Sequence, residues 1–218
     1  MLQLYTYFRS SAAYRVRIAL HLKDLAFTSL PVHLLDGGGQ QHSAAYAAVN
    51  PSHLVPTLVA DGTALGQSLA IMEYLEETHP TPALLPATPL ARARVRALAH
   101  TVACDVHPLN NLRVLQYLER TLGLDAPARA DWYRHWITLG LGTLEALLHR
   151  HPDTGVFCHG DTPTLADCCL VPQLANARRY DTPLQAFPTL LRIEAACLAL
   201  EAFARAAPAA QPDAPGDA

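Results

Sequence analysis

Lysine is nearly absent from this chain: Lys23 is the only lysine among its 16 basic residues, and the remaining 15 are arginines. A planar guanidinium forms two parallel hydrogen bonds with a carboxylate or phosphate, which the point charge of a lysine does poorly. The nucleotide composition of the gene explains most of this bias. The sequence nevertheless predicts that a few of the arginines bind small anions.

Several classes of protein are excluded by what the sequence lacks. Half of the 218 residues are hydrophobic and 16% are charged, which excludes a disordered chain and fits one or two globular domains. The net charge of -3 gives no basic field for nucleic acid. No apolar run has the length of a membrane span, and the first residues lack the pattern of a secretory signal. We expect a cytoplasmic protein that binds neither nucleic acid nor membrane.

The cysteines are five in number and include no C-x-x-C pair. An odd count without that spacing argues against a disulfide framework and against a zinc site. We therefore expect reduced, buried thiols and no metal. The five are Cys104, Cys158, Cys168, Cys169 and Cys197.

The first eighty residues mix the patterns of strands and helices. Residues 2–7 alternate along the chain and predict a strand, after which Ser10 and Ser11 precede a helical stretch. Residues 27–33 predict a second strand, and Pro31 suggests an edge position for it. A short helix over residues 43–49, a hairpin over 55–65 and a helix over 67–77 complete a β-α-β-α-β-β-α order.

Beyond a proline-dense segment the chain predicts helices almost throughout. Val95, Leu98, Ala99 and Val102 recur at the spacing of one helix face. Further helices are predicted along a face with Trp132, Trp136, Leu139, Leu144 and Leu147, from Thr164 onward, and over residues 188–204. We predict an α/β domain at residues 1–82, a linker at 83–90, an all-helical domain at 91–207 and a flexible tail at 208–218.

Ser10 and Ser11 stand between a predicted strand end and a helix start. Serines at this position commonly cap the helix, because the hydroxyl oxygen accepts a free N–H. The same geometry suits an anion or a thiolate, whose pKa a helix N-terminus lowers. No cysteine stands at this junction, so a thiol there has to come from a ligand.

Two further pairs allow two interpretations each. Pro56 within a strand-like run is either an ordinary edge proline or half of a cis Val55-Pro56 bond that exposes the backbone of Val55 to an extended ligand. Ser68, after Gln67, either caps a helix or binds a ligand carboxylate. The residues alone leave both choices open.

A polar cluster surrounds Pro108, where a proline in a helical stretch favours a kink. His107, Asn110, Asn111 and Arg113 form either a solvated bend or part of a binding site. His107 has no identifiable serine or cysteine partner, so a hydrolase triad is unsupported.

The next helical stretch carries local signals at both ends. Thr164 and Asp167 predict a capping box at its start. Arg178 and Arg179 fall at its end, where cations complement the helix dipole.

In this order these segments resemble the glutathione transferase family, and most of all its zeta class, over the chain up to the tail. The most specific segment is residues 7–20, YFRSSAAYRVRIAL, which is similar to the family motif S-S-C-x-W-R-V-R. Supporting segments are residues 36–41 (DGGGQQ), 50–58 (NPSHLVPTL), 67–71 (QSLAI), 107–113 (HPLNNLR) and 160–167 (GDTPTLAD). Ala12 and Tyr14 depart from the motif, at its cysteine and tryptophan positions. The missing cysteine is tolerable if glutathione itself is the nucleophile.

The resemblance implies a thioredoxin-like α/β domain that binds glutathione, an all-α C-terminal domain and a homodimer. It implies that Ser10 holds the glutathione sulfur, with Ser11 close by. It assigns the glycine end to Gln41, the cysteinyl backbone to Val55 beside a cis Pro56, and the γ-glutamyl end to Gln67 and Ser68. His107, Asn111 and Arg113 of the second domain are expected to face the sulfur and the substrate.

The class further implies that the chain converts maleylacetoacetate, a cis diketo acid, into its trans isomer. Reversible addition of the glutathione thiolate to the alkene permits the rotation and regenerates glutathione. Ser10, Ser11 and Arg9 are the expected catalytic residues, and Arg9, Arg113 and Arg179 are candidates to bind the two substrate carboxylates.

Three alternatives stay open at this point. One is maleylpyruvate, the substrate of an isomerase in gentisate breakdown, in place of maleylacetoacetate. Another is a general conjugating transferase, which the polar cluster around Pro108 disfavours. The third is a binding protein without activity, which the presence of both Ser10 and Ser11 disfavours.

Overall fold

The computed structural model describes residues 1–215, and the last three residues of the predicted tail lie outside this range. The chain divides into two compact units. The N-terminal unit contains Met1–Leu84 together with the segment from Leu198 onward, and the helical unit contains Leu85–Cys197.

The order of elements matches the prediction of an α/β part followed by helices. The strands are β1 (Leu2–Thr6), β2 (Phe27–Pro31), β3 (Thr57–Ala60) and β4 (Thr63–Gly66). The helices are α1 (Ser11–Leu22), α2 (Ala44–Val49), α3 (Ser68–Thr78), α4 (Pro89–His100), α5 (Leu112–Arg120), α6 (Ala126–Leu148), α7 (Leu165–Arg179), α8 (Pro188–Leu198) and α9 (Glu201–Ala206).

The N-terminal unit is built on a mixed sheet with the strand order β2-β1-β3-β4. Strand β2 runs parallel to β1, with Leu2 opposite Phe27, whereas β3 is antiparallel to both β1 and β4. The predicted edge position of β2 is confirmed. Proline has no backbone N–H, and an edge strand tolerates Pro31 because no strand on its open side needs that donor. Helix α1 packs against α3 and α9.

One predicted helix is in fact two. The pattern over residues 188–204 predicts continuity, but α8 ends at Leu198 and α9 begins at Glu201. Leu200 between them has extended backbone angles, with φ -91° and ψ 130°. The break coincides with the point where the chain leaves the helical unit and returns to the N-terminal unit.

Helix α6 buries only part of the predicted face, since Leu144 is buried as predicted but other predicted positions are not. Leu139 and Leu147 are exposed, whereas Tyr133, Ile137 and Leu141 are buried. The cause lies in two neighbouring contacts. A Cβ on Gly140 would lie 2.0 Å from Val106 Cγ2, so glycine permits the close approach of α6 to the segment before it. The indole of Trp132 is turned aside to donate to the backbone oxygen of Leu109 at 2.8 Å.

The single lysine is buried inside the N-terminal unit. The ammonium group of Lys23 donates to Glu76 Oε2 at 2.8 Å and to the backbone oxygens of His79 and Pro82 at 2.7 and 2.9 Å. Its side chain is 0% exposed. All three donors are satisfied, which a buried ammonium requires.

We predict that a thiol reagent modifies one cysteine in the folded protein and five after unfolding. Cys104 is exposed, and the other four cysteines are buried. Burial also raises the pKa of Cys158 and Cys168 well above the ordinary value, which suppresses their reactive thiolates. Mass spectrometry after brief alkylation checks this, with Cys104→Ser as the control that leaves no rapidly modified site. Rapid modification of a buried cysteine would contradict the packing described.

None of the helices in residues 1–215 has both the length and the apolar character needed to cross a bilayer. In the same residues, no group of three or more His, Cys, Asp or Glu side chains is placed to hold a metal ion.

Candidate functional site

Ser10 caps helix α1. Its backbone is extended, with φ -70° and ψ 113°, and its Oγ accepts the N–H of Ala13 at 3.2 Å. The hydroxyl proton is not used in that bond, so it can be donated to an anion. Ser10 is half-buried, whereas Ser11 in the first turn is 7% exposed. The geometry therefore presents Ser10 as the serine that can meet a ligand at the helix N-terminus.

Arg17 fixes the turn that leads to Ser10. It is completely buried, and its guanidinium donates to the backbone oxygens of Tyr7 and Phe8 at 3.3 and 3.1 Å. The same group donates to Thr6 Oγ1 and to the backbone oxygen of Ala206, both at 3.0 Å. Burial lowers the pKa of Arg17 to about 10, which leaves it charged at neutral pH.

Arg9 is exposed next to Ser10. Within residues 1–215 it pairs with no carboxylate. It is therefore available to an external anion beside the N-terminus of α1.

A second helix N-terminus lies within reach of α1. Gln67 precedes α3 with φ 65° and ψ 113°, a conformation that side-chain-bearing residues rarely adopt and that clusters at functional sites. Ser68 is buried, and its Oγ accepts from Nη1 of Arg15 at 3.2 Å. Because a guanidinium can only donate, this bond leaves the Ser68 hydroxyl proton directed elsewhere. Arg15 thus orients Ser68 as a donor.

The Val55-Pro56 peptide bond is cis. The pairings of β3 begin at Thr57, so Val55 precedes the paired part of the strand. The backbone of Val55 is thereby left outside the sheet ladder, as an extended ligand requires.

Gln41 is buried, and of its two side-chain amide atoms the nitrogen has hydrogen-bond partners among the described residues and the oxygen has none. Its Nε2 donates to the backbone oxygen of Leu34 at 3.3 Å, while Oε1 accepts no hydrogen bond from the described residues. Gly39, at φ 104°, adjoins this amide, and a Cβ there would lie 2.5 Å from Gln41 Nε2. A buried acceptor without a donor is costly, which suits a position that meets a ligand.

The helical unit carries the second group of candidates at an irregular stretch. A π-helical turn over Thr101–Val106 is followed by a 3-10 turn over His107–Asn110, consistent with the predicted kink. Asn111 caps α5, because its Oδ1 accepts the N–H of Arg113 at 3.2 Å. That bond fixes the amide, so Nδ2 points to Nε2 of His107 at 3.4 Å. An amide NH₂ can only donate, so in this contact Nε2 of His107 is the acceptor.

Arg179 lies against a pair of stacked tyrosines at the end of α7. The rings of Tyr133 and Tyr180 are 3.5 Å apart and nearly parallel, and the Arg179 guanidinium lies 5.1 Å from the Tyr180 ring centre. Its Nη2 also donates to the hydroxyl of Tyr133 at 3.4 Å. Burial raises the pKa of Tyr133 to about 12, so the phenol keeps its proton.

The two neighbouring arginines of α7 differ in their partners. Arg178 is held by both carboxylate oxygens of Glu194. Arg179, like the exposed Arg113, has no carboxylate partner among residues 1–215. Only the second arginine of the pair is therefore available to a ligand.

The structure groups the predicted residues within each unit. Helix α1, which Ser10 caps, is linked to Ser68 at the start of α3 by the hydrogen bond from Arg15. The sequence reasoning missed both Arg15 and Arg17. The signal for both was present, since two arginines occupy a helix whose other side chains from residue 11 to 20 are small, apolar or aromatic. Such cations are retained in a buried helix only where acceptors meet them.

Comparison with known proteins agrees with this architecture. The family model described as glutathione S-transferase, N-terminal domain, matches residues 4–83, and the model for the C-terminal domain matches residues 113–206. A probable maleylacetoacetate isomerase of Vibrio cholerae is 52% identical over 211 residues, which are 97% of each chain. A maleylpyruvate isomerase of a Ralstonia species is 50% identical and covers 97% of this chain and 99% of its own.

Solved structures agree as well. The holo structure of a bacterial zeta-class maleyl pyruvate isomerase has a TM-score of 0.95 and 50% identity, and covers 98% of this chain and 100% of its own. A maleylacetoacetate isomerase from Anaeromyxobacter dehalogenans, with glutathione in its active site, has a TM-score of 0.88 and 47% identity, with coverage of 99% and 98%. The chain therefore belongs to the glutathione S-transferase family and, within it, to the zeta class.

Proposed function

We propose that this protein is a glutathione-dependent cis–trans isomerase that converts maleylacetoacetate into fumarylacetoacetate. The observation that carries the proposal is the half-buried hydroxyl of Ser10 at the N-terminus of α1, with its proton available to an anion. The names of the relatives support the reaction, and the glutathione bound in a relative's structure supports the cofactor.

The donors and acceptors of the N-terminal unit fit glutathione. Ser10 is suited to donate to the thiolate, and the dipole of α1 to stabilise its charge. Ser68, oriented by Arg15, is suited to donate to the γ-glutamyl carboxylate beside Gln67. The backbone of Val55 is suited to pair with the cysteinyl residue next to the cis Pro56.

Further residues complete the proposed site. Gln41 offers its buried Oε1 to a donor at the glycine end. His107 and Asn111 are proposed to contact the sulfur and the substrate. When bound, glutathione supplies a thiolate that adds reversibly to the alkene and so permits rotation about the former double bond. The role of this chain is to keep that thiol deprotonated and to orient the substrate.

We predict that Arg113→Ala and Arg179→Ala each raise KM for the diketo acid about tenfold or more, because each removes a charge-assisted hydrogen bond to a carboxylate. Arg9→Ala is expected to lower kcat as well, since Arg9 adjoins Ser10. Arg120→Ala is the control, because Arg120 is also exposed on α5. Steady-state kinetics check this, and an unchanged kcat/KM in all three variants would overturn the assignment.

The direct test uses purified protein with maleylacetoacetate, with and without glutathione, while the enone absorbance is followed. A change that requires glutathione supports the proposal, and its absence overturns it. Maleylpyruvate is the second candidate, because the Ralstonia relative is nearly as similar as the Vibrio one. The larger kcat/KM identifies the substrate. A product that retains glutathione would instead identify a conjugating transferase.

We also propose that the protein is a cytoplasmic homodimer. Five free cysteines suit a reducing compartment, and the zeta-class resemblance supports the dimer. Light scattering of the purified protein measures the mass directly, and a value near 23.6 kDa would contradict the dimer.

A further inference from the structure

The segment after α9 is fastened to the N-terminal unit by its own hydrogen bonds. Gln211 is buried, and its Nε2 donates to the backbone oxygens of Arg205 and Ala207, each at 2.9 Å. The N–H of Ala214 donates to the backbone oxygen of Gln211 at 3.0 Å, which closes a turn that contains Asp213. Although predicted as part of a flexible tail, this segment places the Asp213 carboxylate at a defined point.

That point is the turn that leads to Ser10. Oδ2 of Asp213 accepts the backbone N–H of Phe8 at 2.9 Å, across 205 positions of sequence. The backbone oxygen of Phe8 accepts from Nη2 of Arg17 at 3.1 Å. Both backbone groups of Phe8 are therefore held by charged side chains, two residues before Ser10.

Charge and packing support the same contact. The negative charge of Asp213 raises the pKa of Arg17, in opposition to the larger lowering that burial causes. Ala214, next in the chain, packs against a hydrophobic cluster of the N-terminal unit. The cluster consists of Tyr7, Phe8, Val32, Tyr46 and Val55. Ala214 thus adds an apolar contact to the cluster that contains Tyr7 and Phe8, two residues of the turn.

We propose that Asp213 is a positioning residue for Ser10. By fixing Phe8 it holds the turn over residues 7–10, and so sets where the Ser10 hydroxyl and the Arg9 side chain meet glutathione and substrate. The proposal rests on the proposed function for the role of Ser10. Position matters here because a displacement of about 1 Å at a reacting group can cost a hundredfold in rate.

The test compares Asp213→Ala with Asp213→Asn. Alanine removes the acceptor, whereas asparagine keeps an oxygen that can accept the Phe8 N–H. In Asp213→Ala we expect kcat/KM to fall about tenfold, through a higher KM for glutathione and a lower kcat. Asp213→Asn should recover most of that loss. Asp61→Asn, at an exposed turn of the same unit with φ 49°, is the matched control and should equal the wild type.

A second readout does not depend on catalysis: amide hydrogen exchange at Phe8 should be faster in Asp213→Ala than in the wild type. Unchanged exchange would overturn the proposal. So would a variant that melts at a lower temperature but keeps wild-type KM for glutathione and kcat, since Asp213 would then be only structural. If the wild type itself shows no glutathione-dependent isomerisation, the proposed function fails. The exchange at Phe8 then still tests whether Asp213 holds the turn.

Discussion

Replacement of Ser10 by alanine is expected to lower kcat/KM for glutathione-dependent isomerisation by about a hundredfold. The hydroxyl is placed to donate to the thiolate, and the loss of a preorganised donor to an anion has an effect of this size. The pKa of bound glutathione should rise by about 1–2 pH units, because the lost hydrogen bond favoured the charged form. The ultraviolet absorbance of the thiolate, followed against pH, measures that pKa.

Ser43→Ala is the matched control for the structural part of this effect. Ser43 Oγ caps α2 by accepting the N–H of Tyr46 at 3.2 Å, the same bond that Ser10 Oγ makes with Ala13. Both variants should therefore lose about 1 kcal/mol of stability, whereas only Ser10→Ala should lose activity. If Ser11→Ala were inactive and Ser10→Ala fully active, the buried Ser11 would be the residue that donates to the glutathione thiolate. The assignment of that role to Ser10 would then be wrong.

Asp167→Ala is expected to destabilise the protein by about 3–5 kcal/mol. Asp167 is 0% exposed, and its carboxylate accepts three hydrogen bonds from N–H and O–H donors at the start of α7, besides a longer one from the thiol of Cys197 at 3.9 Å. The donors are the N–H of Cys158 at 2.9 Å and the N–H and hydroxyl of Thr164 at 2.7 and 2.8 Å. Alanine leaves these groups buried without an acceptor. For a chain of this size the melting temperature should fall by about 10 °C.

Asp125→Ala serves as the control, because it measures the loss of stability when a helix cap is removed at an exposed position. Asp125 also caps a helix, α6, by accepting the N–H of Ala128 at 2.9 Å, but it is exposed. Water can replace it, so the cost there should be about 1 kcal/mol. Calorimetry of both variants measures the difference. Equal losses would show that the buried network around Asp167 contributes no more than an ordinary cap.

Local signals accounted for much of the fold. The structure confirms the helix starts that were predicted at Ser43 and at the pair Thr164 and Asp167. Such caps can be predicted because they involve only residues three positions apart. The order of strands and helices along the chain followed from the hydrophobic alternation and helical periodicity, and the edge position of β2 followed from the chemistry of proline. Val55-Pro56 is cis, as the family resemblance implies.

Features that depend on distant contacts were not accessible in this way. The buried face of α6 depends on the approach of Val106 to Gly140, which periodicity does not encode. The proline- and alanine-rich composition of the last residues likewise predicted a frayed tail. In the structure Gln211 donates to the backbone of α9, and Asp213 accepts the N–H of Phe8 in the turn after β1. The orientation of Ser68 depends on Arg15, 53 positions away.

The buried position of Lys23 gives the folded protein an unusual chemical property. With this one ε-amine enclosed by Glu76 and two backbone oxygens, the native surface offers no lysine to acylating reagents, to amine cross-linkers or to enzymes that attach groups at lysine. Any modification found at Lys23 therefore records a molecule in which the N-terminal unit had opened.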